Sequence, residues 1–169
     1  MSEIVYILSG SNLGDREKYL DIAIDKIFAL PGVEIIATSA LYQSQAQEMQ
    51  GENPDFLNQV IMLDYLYLSN ELLNGLEKIE LEIGRSDKGK LQPRIIDLDI
   101  LLFGNEIIET AELTIPHKRL LKRPFAMVPL LQITPEIEHP VKKRAIAEFL
   151  TKTDALKVEI YKDHVARNI

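Results

Sequence analysis

One strand dictates much of the architecture. The run Ile95-Ile96-Asp97-Leu98-Asp99-Ile100-Leu101-Leu102-Phe103 is strongly apolar yet carries two carboxylates near its middle. Its length and composition read as a strand, and a strand turns alternate side chains to opposite faces. Ile96, Leu98, Ile100 and Leu102 then share one face. Asp97 and Asp99 share the other, with backbones about 6.5–7 Å apart. The first face has to be covered, whereas the second has to leave the pair in reach of a counter-charge. Two close carboxylates repel and are costly to desolvate. Lysine or arginine could neutralise them, as could a divalent cation. Magnesium is typically held by one or two carboxylates together with substrate phosphates.

The rest of the chain supplies a sheet for that strand. Ile4–Leu8 is a β-prone apolar run followed by the turn cluster Ser9–Asp15. Asp15 is placed to cap a helix carrying Leu20, Ala23, Ile24, Ile27 and Phe28 at helical spacing, which Pro31-Gly32 stops. Val33–Tyr42 reads as a strand, Gln43–Pro54 as a polar loop and Phe56–Leu68 as another strand. Ser69 is expected to cap a second helix with Leu72, Leu73, Leu76, Ile79 and Ile83 on one face, ended by Gly84. After the Asp97 strand, Gly104-Asn105 suggests a hairpin turn. The order strand, helix, strand, strand, helix, strand predicts a ferredoxin-like α+β fold, an antiparallel sheet with helices on one face. The tail from Thr110 is proline-rich and less regular, with a short helix expected over Arg144–Leu150. No linker or repeat divides residues 1–169, which reads as a single domain.

Composition narrows the chemistry. With no cysteine there is no disulfide, thiolate metal site or cysteine nucleophile, and His117, His139 and His164 are widely spread. A net charge of −7 argues against general nucleic-acid binding. No apolar run approaches a membrane span and the N-terminus is not a secretory signal, so a cytoplasmic location is expected. Positive charge is concentrated in two loops, one with Arg85, Lys88, Lys90 and Arg94, the other with Lys118, Arg119, Lys122 and Arg123. These are either solvated loop charge or local sites for a small anion. Flanking the carboxylate pair, they supply the usual equipment for phosphoryl transfer. Gly84–Lys90 imitates a phosphate-binding loop but continues with Leu91 where Ser or Thr is required, and it follows a helix. Phe56 shares a strand face with Asn58, and Phe125 follows Arg123 by two. They are either core residues or aromatics holding a flat heterocycle whose edge the amide reads.

Four segments together resemble a known family. They are Gly10-Ser11-Asn12-Leu13-Gly14, Asn53-Pro54-Asp55-Phe56-Leu57-Asn58, Pro93-Arg94 with Asp97–Gly104, and Leu113-Thr114-Ile115-Pro116-His117 with Arg123 and Phe125. In this order they resemble the 6-hydroxymethyl-7,8-dihydropterin pyrophosphokinases of folate synthesis, from Tyr6 to about Pro135. The resemblance implies the ferredoxin-like fold and transfer of pyrophosphate from ATP to a pterin hydroxymethyl group, leaving AMP, with two magnesium ions. It implies Asp97 and Asp99 as metal ligands. The pterin would meet Phe56, Phe125, Asn58, Gly10, Ser44 and Gln45. The nucleotide would meet Leu73, Glu80, Ile100 and Thr114, with its phosphates on Arg94, His117 and Arg123. In the basic loop, Arg85 is expected to act in catalysis and Lys88 to follow the phosphates.

Where the family usually has an aromatic-glycine pair, this chain has Leu91-Gln92, and Gln45 stands in place of a proline near the pterin. The alternative is therefore a family member that binds pterin or nucleotide but catalyses poorly. An RNA-recognition module, with the same element order, is disfavoured because Asp97 and Asp99 would repel RNA. ATP and the pterin are the expected partners, with no nucleic acid, no membrane and a monomeric chain. Segments 43–54 and 85–92 are expected to close over the site.

Overall fold

The computed structural model describes residues 1–45, 55–84 and 95–163. The elements in chain order are β1 (Glu3–Ser11), α1 (Arg16–Phe28), β2 (Val33–Thr38), β3 (Leu41–Ser44), β4 (Phe56–Tyr65), α2 (Ser69–Ile83), β5 (Asp97–Phe103), β6 (Ile108–Glu109), β7 (Thr114–Ile115), α3 (Pro124–Ile133), α4 (Lys152–Ala155) and β8 (Glu159–Lys162). The main sheet runs β5-β1-β4-β3-β8, and β2 also pairs with β4. Every pairing is antiparallel. With β2 and β3 taken as two halves of one strand, this is the ferredoxin-like arrangement.

Local chemistry explains the helices. The Asp15 carboxylate accepts from Lys18 N at 3.2 Å and opens α1, which buries Leu20, Ala23, Ile24 and Ile27. α2 buries Leu72, Leu76 and Ile79 beside them. Gly84 ends α2 at φ +124°, a backbone conformation that suits glycine. The helix does not begin on a Ser69 cap. Leu68 occupies the cap position and Ser69 is the first helical residue, while the Glu71 carboxylate reaches back to Leu68 N at 3.2 Å. α1 and α2 cover one face of the sheet with Val5, Ile7, Leu57, Ile61, Leu63 and Leu98 beneath them.

The other face is covered too, which departs from the expected one-sided sheet. Tyr6, Leu8, Val60, Leu101 and Leu102 pack there against Ala126, Met127 and Leu130 of α3 and against Ile146. α3 was hidden in the sequence by its prolines. Pro124 sits in the first turn, where its missing N–H costs nothing, and Pro129 lies inside the helix. Arg144–Leu150 forms only a 3-10 turn over Ile146–Phe149, and β8 was not foreseen.

Three boundaries also shift. Val33–Tyr42 is broken at Ser39–Ala40, where Ser39 Oγ accepts from Val60 N and Gln132 Oε1 from Ala40 N. Gln43 and Ser44 belong to β3 rather than to a loop. Gly104-Asn105 does turn, with Gly104 at φ +53°, but the chain does not fold back on β5, because β6 pairs with β7.

β5 contains a bulge. Tyr6 pairs with Leu102 and Ile7 with Ile100, so Leu101 is the extra residue. Ile96, Leu98 and Ile100 pack under the helices as the pleat predicts. Beyond the bulge the alternation is reset. Leu102 goes to the α3 side, and Phe103, not Leu102, completes the helix-facing row.

Candidate active site

Strand register assembles a row of side chains across the sheet. Asp97 on β5 pairs with Gly10 on β1, Gly10 with Asn58 on β4, and Asn58 with Tyr42 on β3. Directly opposed residues share a face. This face is shared by Asp99, which pairs with Leu8, and by Phe56, which pairs with Ser44. It is the side on which α3 packs, and α3 brings Phe125 to it, packed partly against Tyr42 and Ala40. Residues up to 115 positions apart in sequence thus meet at one end of the sheet.

The row is tight at Gly10. A β-carbon there would lie 2.6 Å from Asn58 Oδ1. Asn58 is buried, whereas Asp97, Asp99, Phe56 and Phe125 are half-buried. Ser44 Oγ is buried without a hydrogen-bond partner among the described residues, an arrangement that favours a ligand donor or acceptor at that point. Gln45 is exposed beside it. Burial, then Asp163, raises the Tyr42 phenol above its ordinary pKa, keeping it a neutral hydroxyl. Tyr42 was not foreseen as part of this face, although its spacing of two from Ser44 marks it.

The cations come from the segment joining β7 to α3. The Arg123 guanidinium lies 5.4 Å from the Phe125 ring centroid, a cation–π contact. His117 N donates to Leu101 O at 2.9 Å, which fastens this segment to the outer edge of β5. His117 Nδ1 accepts from Arg119 N at 3.1 Å, so in the neutral ring Nε2 carries the proton. Burial, then the Arg123 charge, lowers the His117 pKa to about 4, against an opposing pull from Asp97. Arg123 and Asp97 therefore both act electrostatically on His117.

The residues expected around the nucleotide lie behind the same edge. Ile100 is buried and Leu73 half-buried in the layer between helices and sheet, and Thr114 is half-buried on β7. Glu80 is 2 % exposed and accepts from Leu98 N at 2.9 Å. Arg85, Lys88 and Arg94 lie outside the described residues, as do His164, most of segment 43–54 and all of segment 85–92. Among the described residues no three His, Asp or Glu gather into a metal cluster, so Asp97 and Asp99 offer two hard oxygen donors. Such a pair suits magnesium completed by phosphate oxygens and water. Among the described residues no helix is long and apolar enough to cross a membrane.

Known proteins resemble this chain closely. Residues 6–135 match the family described as 7,8-dihydro-6-hydroxymethylpterin-pyrophosphokinase (HPPK). The 2-amino-4-hydroxy-6-hydroxymethyldihydropteridine pyrophosphokinase of Aquifex aeolicus is 41% identical over 145 residues, covering 86% of this chain and 89% of its own. The Bacillus subtilis protein of the same name is 36% identical over 162 residues, 96% of this chain and 92% of its own. Folic acid synthesis protein fol1 of Pneumocystis carinii is 41% identical over 89% of this chain, which spans only 20% of that longer protein. Among solved structures, wild-type Plasmodium falciparum HPPK-DHPS with pteroate superposes with a TM-score of 0.70 at 16% identity, over 88% of this chain and 42% of that one. At that identity the superposition speaks for the fold, and the family match with the two full-length relatives speaks for the lineage: this chain belongs to the 7,8-dihydro-6-hydroxymethylpterin-pyrophosphokinase family.

Proposed function

We propose that pterin and triphosphate meet on the face built by Asp97, Gly10 and Asn58. The reaction follows from the family: an ATP-dependent diphosphotransferase moves a pyrophosphoryl group from ATP to hydroxymethyldihydropterin in folate biosynthesis. The hydroxymethyl oxygen forms a bond to the β-phosphorus and gives up its proton to solvent, the bond from that phosphorus to the α,β-bridging oxygen breaks, and AMP leaves with that oxygen. Asn58 reads the polar edge of the heterocycle, and Gly10 leaves room for it. Phe56 and Phe125 stack on its faces. Ser44 and Gln45 complete the pterin contacts.

The phosphates sit toward Arg123 and His117. A neutral His117 donates its Nε2 proton in a hydrogen bond to a phosphate oxygen, and Arg123 contributes charge. Arg94, Arg85 and Lys88 are the further cations of this reading, and Leu73, Glu80, Ile100 and Thr114 line the nucleotide side. Asp97 and Asp99 hold magnesium, with two ions expected. Bound there, the metal supplies charge neutralisation and orientation of the reacting phosphates. A monomeric, cytoplasmic enzyme without nucleic-acid or membrane partners completes the proposal.

The observation that carries this reading is the register that sets Asp97, Gly10 and Asn58 side by side. An assay of AMP release with ATP, magnesium and the reduced pterin tests it. Asp97→Asn and Asp99→Asn should each cost on the order of 3–5 kcal/mol of transition-state stabilisation with the fold retained. Near-normal turnover of either variant at saturating magnesium would remove the carboxylate pair from the mechanism. A wild-type chain that binds both ligands but releases no AMP would favour the catalytically impaired alternative.

A further inference from the structure

Glu80 is the only acidic residue in the fully buried class among the described residues. It lies one turn before the end of α2, and its carboxylate accepts from the backbone N–H of Leu98, the residue between Asp97 and Asp99, at 2.9 Å. β5 stands at the edge of the sheet, paired only with β1. Amides on its outer side have no neighbouring strand to bond. The Leu98 amide is one of them, and it is met by a side chain from a helix. The carbonyl of Leu101, further along the same edge, is met by His117 N at 2.9 Å.

We propose that Glu80 is a positioning residue for the carboxylate pair. The bonded N–H belongs to the peptide joining Asp97 to Leu98. Holding that peptide plane fixes the roll of the strand about its own axis, and both carboxylates turn with that roll. Without the Glu80 bond this peptide would be held less firmly, and the two oxygen donors would then be set less well for a cation that demands strict geometry. The inference rests on the reading of Asp97 and Asp99 as metal ligands, and it adds a device behind the strand that sets them.

Two conservative substitutions separate this role from a role for charge. Glu80→Gln keeps the reach and a carbonyl acceptor but loses the charge. Glu80→Asp keeps the charge but retracts the oxygens by about 1.5 Å, one carbon–carbon bond, beyond hydrogen-bond range. Three readouts apply to the full chain: the magnesium concentration for half-maximal AMP release, the pterin dissociation constant, and amide hydrogen exchange at Leu98 by NMR. E80D should raise the magnesium requirement by roughly 10–100-fold, the usual effect of losing a partner that orients a ligand. It should also deprotect the Leu98 amide and leave pterin affinity unchanged, while E80Q keeps that amide protected and raises the magnesium requirement far less than E80D does.

An impaired E80Q beside a normal E80D would overturn the proposal in favour of charge. Equal impairment with Leu98 still protected in both would also overturn it, as would two normal variants. If Asp97→Asn and Asp99→Asn remain active, the metal reading fails by itself. The exchange at Leu98 then still reports whether Glu80 holds the strand.

Discussion

At the residue scale the site depends on one missing side chain and one suppressed charge. Gly10→Ala would place a methyl group 2.6 Å from Asn58 Oδ1, so the buried amide would have to turn away. The contact with Leu57 O, 3.7 Å away, would be an ordinary one. The expected outcome is a pterin dissociation constant at least about tenfold weaker, the loss of one oriented hydrogen bond, with ATP affinity nearly unchanged. Separate calorimetric titrations of the two ligands check this, and equal losses for both would place Asn58 in the core rather than in the site.

His117 is half-buried and behaves as a desolvated base. Its pKa falls from the ordinary 6.5 to about 4 on folding, through burial first and the Arg123 charge second. Below pH 6.5 the unfolded chain takes up a proton that the folded chain refuses. The contribution to stability is therefore whole above pH 6.5 and is lost as pH falls toward 4, by at most about 3 kcal/mol. Urea unfolding without metal or nucleotide should show His117→Asn losing less stability than wild type between pH 7 and pH 4. An identical decline in both would show that other groups govern acid unfolding.

At the element scale, β5 shows how a two-residue repeat can be legible and still mislead near its end. The alternation correctly set Ile96, Leu98 and Ile100 against the helices and Asp97 and Asp99 on the other side. It wrongly set Leu102 with the first group, because the bulge at Leu101 inserts a residue that a repeat alone cannot reveal. Leu101→Ala should cost about 2–5 kcal/mol, an ordinary core truncation. Deleting Leu101 removes the extra residue and leaves Leu102 and Phe103 in plain alternation after Ile100, on the faces they already occupy. A cooperative thermal transition should therefore survive the deletion, with a loss close to that of the alanine variant. A deletion that abolishes the transition would show that the bulge itself holds the end of β5.

At the scale of the whole molecule, two layers cover one sheet. The α1–α2 layer was readable from sequence, since its apolar residues recur at helical spacing between recognisable caps. The α3 layer was not, yet it brings Phe125 to the site and ties itself to the sheet. Tyr6 Oη and Thr134 Oγ1 are 2.9 Å apart, and Gln132 accepts from Ala40 N at 2.8 Å. Ending the chain after Leu150 removes a fully exposed β8 together with Val158, one of three buried residues in a small cluster. Such a chain should still fold, with a thermal midpoint lower by several degrees, as about 1–2 kcal/mol implies for a chain of this length. Ending it after Arg123 uncovers Tyr6, Leu8, Val60, Leu101 and Leu102 and should give an insoluble product. A soluble, cooperative fragment from the second cut would show that the sheet needs only one layer.

Sequence by itself settled the strand and helix order up to the Asp97 strand, the ferredoxin-like arrangement and the placing of two carboxylates on one strand face, because these depend on periods of two and 3.6 residues and on short motifs read locally. Segments 46–54 and 85–94, with Arg85, Lys88 and Arg94, are outside the described residues. Tertiary structure decided the rest. Strand register put Gly10 and Asn58 beside Asp97, the bulge reset the end of β5, α3 carried in Phe125, and Glu80 reached the amide between the two aspartates. Each is a contact between residues at least 18 positions apart, whose pairing depends on packing and backbone hydrogen bonding across the sheet, and no local pattern encodes which distant groups will meet.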